Sequence, residues 1–192
     1  MTGGKADWLI VGLGNPGPEH ASTRHNVGFM VADLLAERWD LGRQKARFGG
    51  RIVEGRLPAS EPGAERPRVA VLWPMTYMNE AGRSAGPARG ALHVSLDRVL
   101  VVHDEIDIPF GEVRARVGGG LAGHNGLKSL KRELGGPDFV RVRVGVGRPP
   151  SSDPSVVSAY VLGRFREDAV QVRDLVERAA DQVERIVLGG EP

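Results

Sequence analysis

Trp8-Leu-Ile-Val-Gly-Leu-Gly-Asn-Pro-Gly-Pro18 opens with an apolar run and closes in a cluster of Gly, Asn and Pro. So short an apolar run, stopped by turn residues, predicts a buried strand running into a loop. The pattern outside it then predicts an α/β domain, because helical periodicities alternate with further apolar runs. Val27, Met30, Val31, Leu34 and Leu35 recur at helical spacing over residues 27–39, with Ser22 or Thr23 available as a cap. Residues 47–56 and 68–73 read as strands, separated by a surface turn at Leu57-Pro-Ala-Ser-Glu-Pro-Gly63. Residues 79–92 predict a helix weakened by Gly86-Pro87; residues 98–103 predict a buried strand, and 112–117 an exposed one. A helix over 125–134 precedes residues 140–146, where Arg and Val alternate as in a half-buried strand with Arg141 and Arg143 on one face. An amphipathic helix over 168–188 closes the chain.

A chain of 192 residues, 41% hydrophobic and 26% charged, suits one domain, and no repeat or linker divides it. Cysteine is absent, which excludes thiol nucleophiles, cysteine-based zinc sites and disulfides. Residues 1–7 are short and polar, a flexible N-terminus by expectation, and no stretch approaches the about 18 apolar residues of a membrane span. A cytoplasmic address with no membrane partner follows as the expectation. Of the 26 cations 22 are Arg, whose planar fork suits phosphate. Residues 111–148 carry eight cations against three acids, whereas residues 166–192 carry four arginines against seven acids. A local excess of that size is ordinary surface variation unless something else points to a polyanion.

Three local signatures compete for the chemistry. Gly12-x-Gly14-x-x-Gly17 satisfies the dinucleotide fingerprint, but Pro16 and Pro18 delay the helix whose N-terminus would hold pyrophosphate. Gly82-Arg-Ser84-Ala-Gly86 satisfies the nucleophile-elbow pattern, and Asp104 and His124 follow in the order of a hydrolase triad. That elbow needs a strand running straight into the serine, whereas Ser84 sits inside a helical pattern and reads as a small residue on a helix surface. His103-Asp104-Glu105-Ile-Asp107, with His25 and His124 elsewhere, could supply metal ligands. Neighbours on a strand point to opposite faces, so His103 and Asp104 cannot easily share one ion. The pairing gains meaning if Asp104 and His25 project into one crevice.

Together Gly12-Leu-Gly-Asn-Pro-Gly17, Thr23-Arg-His-Asn-Val-Gly-Phe29, Pro74-Met-Thr-Tyr-Met-Asn-Glu80, His103-Asp-Glu-Ile-Asp107 and Gly118-Gly-Gly-Leu-Ala-Gly-His-Asn-Gly-Leu-Lys128 resemble, in order and spacing, the motifs of bacterial peptidyl-tRNA hydrolases. The resemblance extends over about residues 8–165. It implies a single-domain α/β fold, with a twisted mixed β-sheet flanked by helices. It also implies hydrolysis of the ester between a peptide and the 3′-terminal ribose of tRNA, recycling peptidyl-tRNA lost from ribosomes, without metal or cofactor. Residue by residue, the catalytic histidine falls on His25 and its orienting carboxylate on Asp104. The substrate site falls on Asn15, His20, Met78, Asn79 and Asn125, and the tRNA-phosphate site on Arg114, Arg116 and Arg143. Peptidyl-tRNA is the implied partner, and a monomer without an obligate protein partner is the expectation. His20 stands where the family usually has Tyr, and Trp73 where a Lys is common.

These residue types suit the chemistry. An ester has a reasonable leaving group, so water deprotonated by one imidazole can attack without a covalent intermediate. A carboxylate fixes that imidazole's tautomer and steadies the imidazolium, while neutral amides bind substrate or the oxyanion. Two other readings compete with it: an RNA-binding scaffold without catalysis, and, more weakly, a nicotinamide-dependent enzyme.

Overall fold

The computed structural model describes residues 4–59 and 61–192. Its strands are β1 (Trp8–Gly12), β2 (Lys45–Arg47), β3 (Gly50–Arg56), β4 (Arg68–Pro74), β5 (Val99–Glu105), β6 (Val113–Val117) and β7 (Val140–Gly145). Its helices are α1 (Val27–Arg38), α2 (Gly82–Ala91), α3 (Asn125–Leu134), α4 (Pro154–Val161) and α5 (Ala169–Val187). The strands form one mixed sheet in the order β2-β3-β4-β1-β5-β7-β6. The inner strands β4, β1, β5 and β7 run parallel, and β2, β3 and β6 are added antiparallel at the edges. Every residue of β1 is buried, as its run of apolar residues requires. Trp8 and Ile10 join the core under α1 and α5; Leu9 and Val11 join the core under α2 and α3. The molecule is thus a helix–sheet–helix sandwich, with the carboxyl ends of four parallel strands opening at one edge, where α/β sheets hold ligands.

The glycines that imitated a dinucleotide fingerprint serve packing instead. A Cβ on Gly12 would strike the carbonyl of Gly28, and one on Gly28 would strike the carbonyl of Val102. Helix α1 therefore seats directly on the ends of β1 and β5, and the turn before it, which carries His25, is delivered to the end of β5.

Several expected elements change in detail. The strand expected over 47–56 is broken at Phe48 and Gly49, with φ of 57° and 64°, into a tight hairpin in which Arg47 faces Gly50. The Arg47 guanidinium covers the Phe48 ring at 4.5 Å. Residues 79–92 divide into a single 3-10 turn, Met78–Glu80, and α2, which keeps Pro87 inside it. Ser84 is fully buried on α2 rather than on a helix surface, where its hydroxyl would meet any Cβ on Gly50. β7 is buried rather than half-buried: Arg141 is 1% exposed because the loop after β6 folds over it. Helix α4 lay outside the sequence expectations. Of the N-terminal stretch 1–7, residues 1–3 lie outside the described residues; Ala6 is buried with its N–H on the Leu92 carbonyl, and the Asp7 carboxylate accepts from the Arg68 N–H. Among the described residues no helix is long and apolar enough to cross a membrane.

Candidate active site

The loop after β1 is held by a pair of asparagines. The Asn15 N–H donates to Asn26 Oδ1 and the Asn26 amide donates back to the Asn15 carbonyl, both at 2.9 Å. Asn15 Oδ1 also accepts from the Met78 N–H at 2.8 Å. One buried amide thus ties the end of β1 to the 3-10 turn after β4 and so fixes where Asn79 begins. Met78 is 5% exposed and fits against Gly126, where a Cβ would press on its sulfur.

Asp104, 3% exposed at the end of β5, is the centre of the site. Its Oδ2 is 2.8 Å from His25 Nδ1 and its Oδ1 is 2.8 Å from His124 Nε2. Hydrogen bonds settle both tautomers. His124 caps α3: its Nδ1 accepts from the N–H groups of Gly126 and Leu127, at 3.1 and 3.4 Å, so the ring proton sits on Nε2 and is donated to Asp104. His25 donates from Nδ1 to the other carboxylate oxygen, which leaves Nε2 with a lone pair facing the cleft. Burial works against the charged His25 ring, but the negative charge of Asp104 and the hydrogen bond to it outweigh burial and raise its pKa above the ordinary value. The Asp104 carboxyl is held far below the usual carboxylate range: burial opposes ionisation, and the charges and hydrogen bonds of His25 and His124 overcome it.

Above this trio lies a cleft of about 890 Å³. Asn15, His25, Met78, Asn79, Asp104, His124 and Asn125 line it together, so all but one of the expected catalytic and substrate residues meet in one place. Asn79 and Asn125 are exposed in the cleft and Tyr77 stands 70% exposed at its rim. The facing wall is α4, which presents Val157 and Val161, with Leu162 just past its end, and has no buried residue of its own. It is tethered to the catalytic turn by Arg24, whose guanidinium stacks on the Tyr160 ring at 4.0 Å and donates to the Tyr160 carbonyl. The exception is His20, which the structure does not bring into the cleft. It ends the 3-10 turn Pro18–His20, 3.8 Å from Glu19, and its carbonyl takes the Thr23 hydroxyl.

Arg114 and Arg143 face each other across the β6–β7 ladder, as do Arg116 and Arg141, so four guanidiniums share one face of the edge hairpin. Arg114 and Arg116 are exposed, and Arg114 pairs with Glu112. Arg143 is half-buried, and its Nε lies out of solvent without a hydrogen-bond partner.

Sequence reasoning weighed His124 only as a triad member or metal ligand and gave it no place in the hydrolase site, left Asn26 without a role, noted Lys128 only as a charge, and gave Arg141 a strand face but no function. The signal for the capping role of His124 was its place one residue before the helix at 125, and histidine is an unusual cap. His25, Asp104 and His124 also form the one group among the described residues whose ligand atoms, within 4.8 Å of each other, could hold a metal ion. Here each nitrogen faces its own carboxylate oxygen at hydrogen-bond distance, and an ion bound at ~2.0–2.2 Å would have to displace both shared protons.

Comparison with known proteins agrees with this geometry. The family model described as peptidyl-tRNA hydrolase matches residues 9–191. The peptidyl-tRNA hydrolase of Streptomyces coelicolor is 48% identical over 189 residues, 96% of this chain and 91% of its own length. That of Mycolicibacterium vanbaalenii is 46% identical over 184 residues, 95% of this chain and 91% of its own. The crystal structure of peptidyl-tRNA hydrolase from Acinetobacter baumannii superposes with a TM-score of 0.81 at 36% identity, covering 95% of this chain and 89% of that one. With the family's motifs gathered around a single histidine–carboxylate–histidine cleft, the chain belongs to the peptidyl-tRNA hydrolase family.

Proposed function

We propose that the chain hydrolyses the ester joining a peptide to the terminal ribose of tRNA, with His25 as general base. The observation that carries this reading is the His25–Asp104 hydrogen bond, with Nε2 of His25 left unprotonated toward the cleft. His25 Nε2 takes a proton from water, and the resulting hydroxide attacks the ester carbonyl. The tetrahedral intermediate then expels the ribose oxygen, which receives the proton from the imidazolium. Asp104 fixes the tautomer and balances the charge that forms on His25. The amides of Asn79 and Asn125 are placed to hold substrate or oxyanion, and Asn15 positions the turn that carries Asn79. His20 takes no part in this scheme.

Purified peptidyl-tRNA is expected to yield free tRNA and peptide at an unchanged rate in excess chelator. Tight binding without release would make the protein a scaffold, and loss of turnover on chelation would place a metal among His25, Asp104 and His124.

Arg114, Arg116 and Arg143 would bind backbone phosphates, which gives affinity without reading sequence. The place of Arg143 on the same hairpin face as the exposed Arg114 and Arg116, directly opposite Arg114, supports the assignment. Arg143→Ala is expected to flatten the slope of log K against log salt by about 0.7–0.9. It should barely alter kcat on a minimal ester that carries only the terminal nucleoside. Equal damage to the short ester would move Arg143 from the phosphate site to the catalytic one.

A further inference from the structure

We infer that Arg141, although it lies in the basic 111–148 stretch beside the phosphate-site arginines, is a positioning residue that holds the 118–124 loop and so sets His124 against Asp104. This rests on the hydrolytic reading above and deepens it. Arg141 stands opposite Arg116 on the hairpin, yet it is 1% exposed and cannot present its fork to a tRNA backbone. Its donors turn inward instead. Nη1 donates to the carbonyls of Gly118 and Gly120 at 3.2 and 2.8 Å, and Nε donates to His103 Nε2 at 3.1 Å. Nη2 lies 3.8 Å from the Glu105 carboxylate, the acid that balances the buried charge.

The loop it grips has little else to order it. Gly118, Gly119, Ala122 and Gly123 all have positive φ, and Leu121 is its only large apolar side chain. Besides Arg141, the loop is held by the Gly118 N–H on the Phe139 carbonyl, by the Arg116 guanidinium, which lies where a Cβ on Gly119 would be, by the His124 N–H on the Leu121 carbonyl and by Leu121 packed against the core. At its far end stands His124, whose Nε2–H must meet one oxygen of Asp104.

His103 supplies a second route to the same place. An arginine only donates, so His103 Nε2 must be an acceptor and its proton must sit on Nδ1, 2.8 Å from the Asp104 carbonyl oxygen. Burial, with His124 and Arg141 nearby, holds the His103 pKa well below its usual value, which favours the neutral ring that this hydrogen-bond pattern requires. The His103 ring meets the His124 ring edge-on, with centroids 5.2 Å apart. Arg141 thus braces His124 through the loop backbone and through the face of a locked imidazole. A lysine would keep the charge and lose the fork.

The test compares wild type with Arg141→Met, Arg141→Lys, His103→Gln and His103→Met, on the minimal nucleoside ester and on whole peptidyl-tRNA across a salt series. Both Arg141 variants and His103→Met should lower kcat about tenfold on both substrates, with the salt slope of tRNA binding unchanged. His103→Gln should retain most activity, because its Oε1 stands where Nε2 accepted from Arg141. The downfield proton of His124 Nε2–H, read by NMR, should weaken or vanish in Arg141→Met and persist in His103→Gln. An Arg141→Met enzyme with normal kcat on the short ester and a flattened salt slope would be a phosphate ligand mutant, and the inference would be overturned. Persistence of the His124 signal in both Arg141 variants would overturn it too. Should Arg141→Met fail to fold, His103→Met against His103→Gln still decides. A wild type inactive on both esters would refute the hydrolytic reading, while the His124 signal would still report on Arg141.

Discussion

His25→Ala is expected to lower kcat by ~10²–10⁴, the usual range for loss of a general base. The imidazole is the only cleft group whose free nitrogen is both unprotonated and backed by a buried carboxylate. The substitution also removes one of the two donors on Asp104. A buried acceptor left short costs about 1–3 kcal/mol, so some loss of thermal stability accompanies the loss of rate. His25→Asn separates the two effects, because its amide can still donate toward Asp104 while offering no base. Single-turnover rates on peptidyl-tRNA, set beside binding and thermal unfolding for both variants, make the measurement. Binding should stay close to wild type, since the proposed phosphate-binding arginines stand on the β6–β7 hairpin. If either variant keeps more than about a tenth of the wild-type kcat, His25 is not the base.

Why the His25–Asp104 pair could be named from the sequence, while much of the structure that holds it could not, has a physical cause. Elements whose patterning reports burial could be read directly: the β1 run, the periodic α1, and α3, found at residues 125–134 as expected. Strand placement put Asp104 at one strand end and His25 in the loop after another without fixing that they meet; the pairing itself came from the resemblance of the motifs around them. Helix α4 escaped because it is only eight residues long and buries none of them; Val156/Tyr160 and Val157/Val161 recur at helical spacing, but over barely two turns, and Asp153 as its cap and Pro154 in its first turn were the further signals. The Phe48-Gly49 turn escaped because a phenylalanine at φ of 57° is contrary to local preference and is tolerated under the Arg47 guanidinium. Arg141 could be assigned a face by alternation, but not a depth. Its burial depends on a glycine loop that crosses the strand from over twenty positions upstream. His124 was hidden by the same non-local geometry.

Asp104→Asn should be nearly as damaging as loss of the imidazole, on the order of 10²–10⁴ in kcat, because it places a proton on the wrong nitrogen. Asp104 accepts two hydrogen bonds, one on each oxygen, from His25 Nδ1–H and His124 Nε2–H. Asparagine offers one acceptor and one donor, so one histidine must change its tautomer. His124 cannot, since its Nδ1 is committed to the N–H groups of Gly126 and Leu127. The asparagine oxygen therefore turns to His124, its amide hydrogens face His25, and His25 Nδ1 becomes an acceptor. The proton moves to Nε2, the nitrogen that should have taken one from water. The pH profile supplies an independent sign. In the wild type the His25 pKa is raised above about 6.5, so kcat/KM falls as pH drops through that raised value. In Asp104→Asn the charge that raised it is gone and burial, which lowers it, remains, so the acidic limb should move to lower pH. His124→Ala added to Asp104→Asn frees the asparagine oxygen to turn toward His25, and the double variant is expected to be no slower than Asp104→Asn alone. Full additivity of the two losses, or an acidic limb unmoved in Asp104→Asn, would show that His124 does not impose the tautomer through this shared carboxylate.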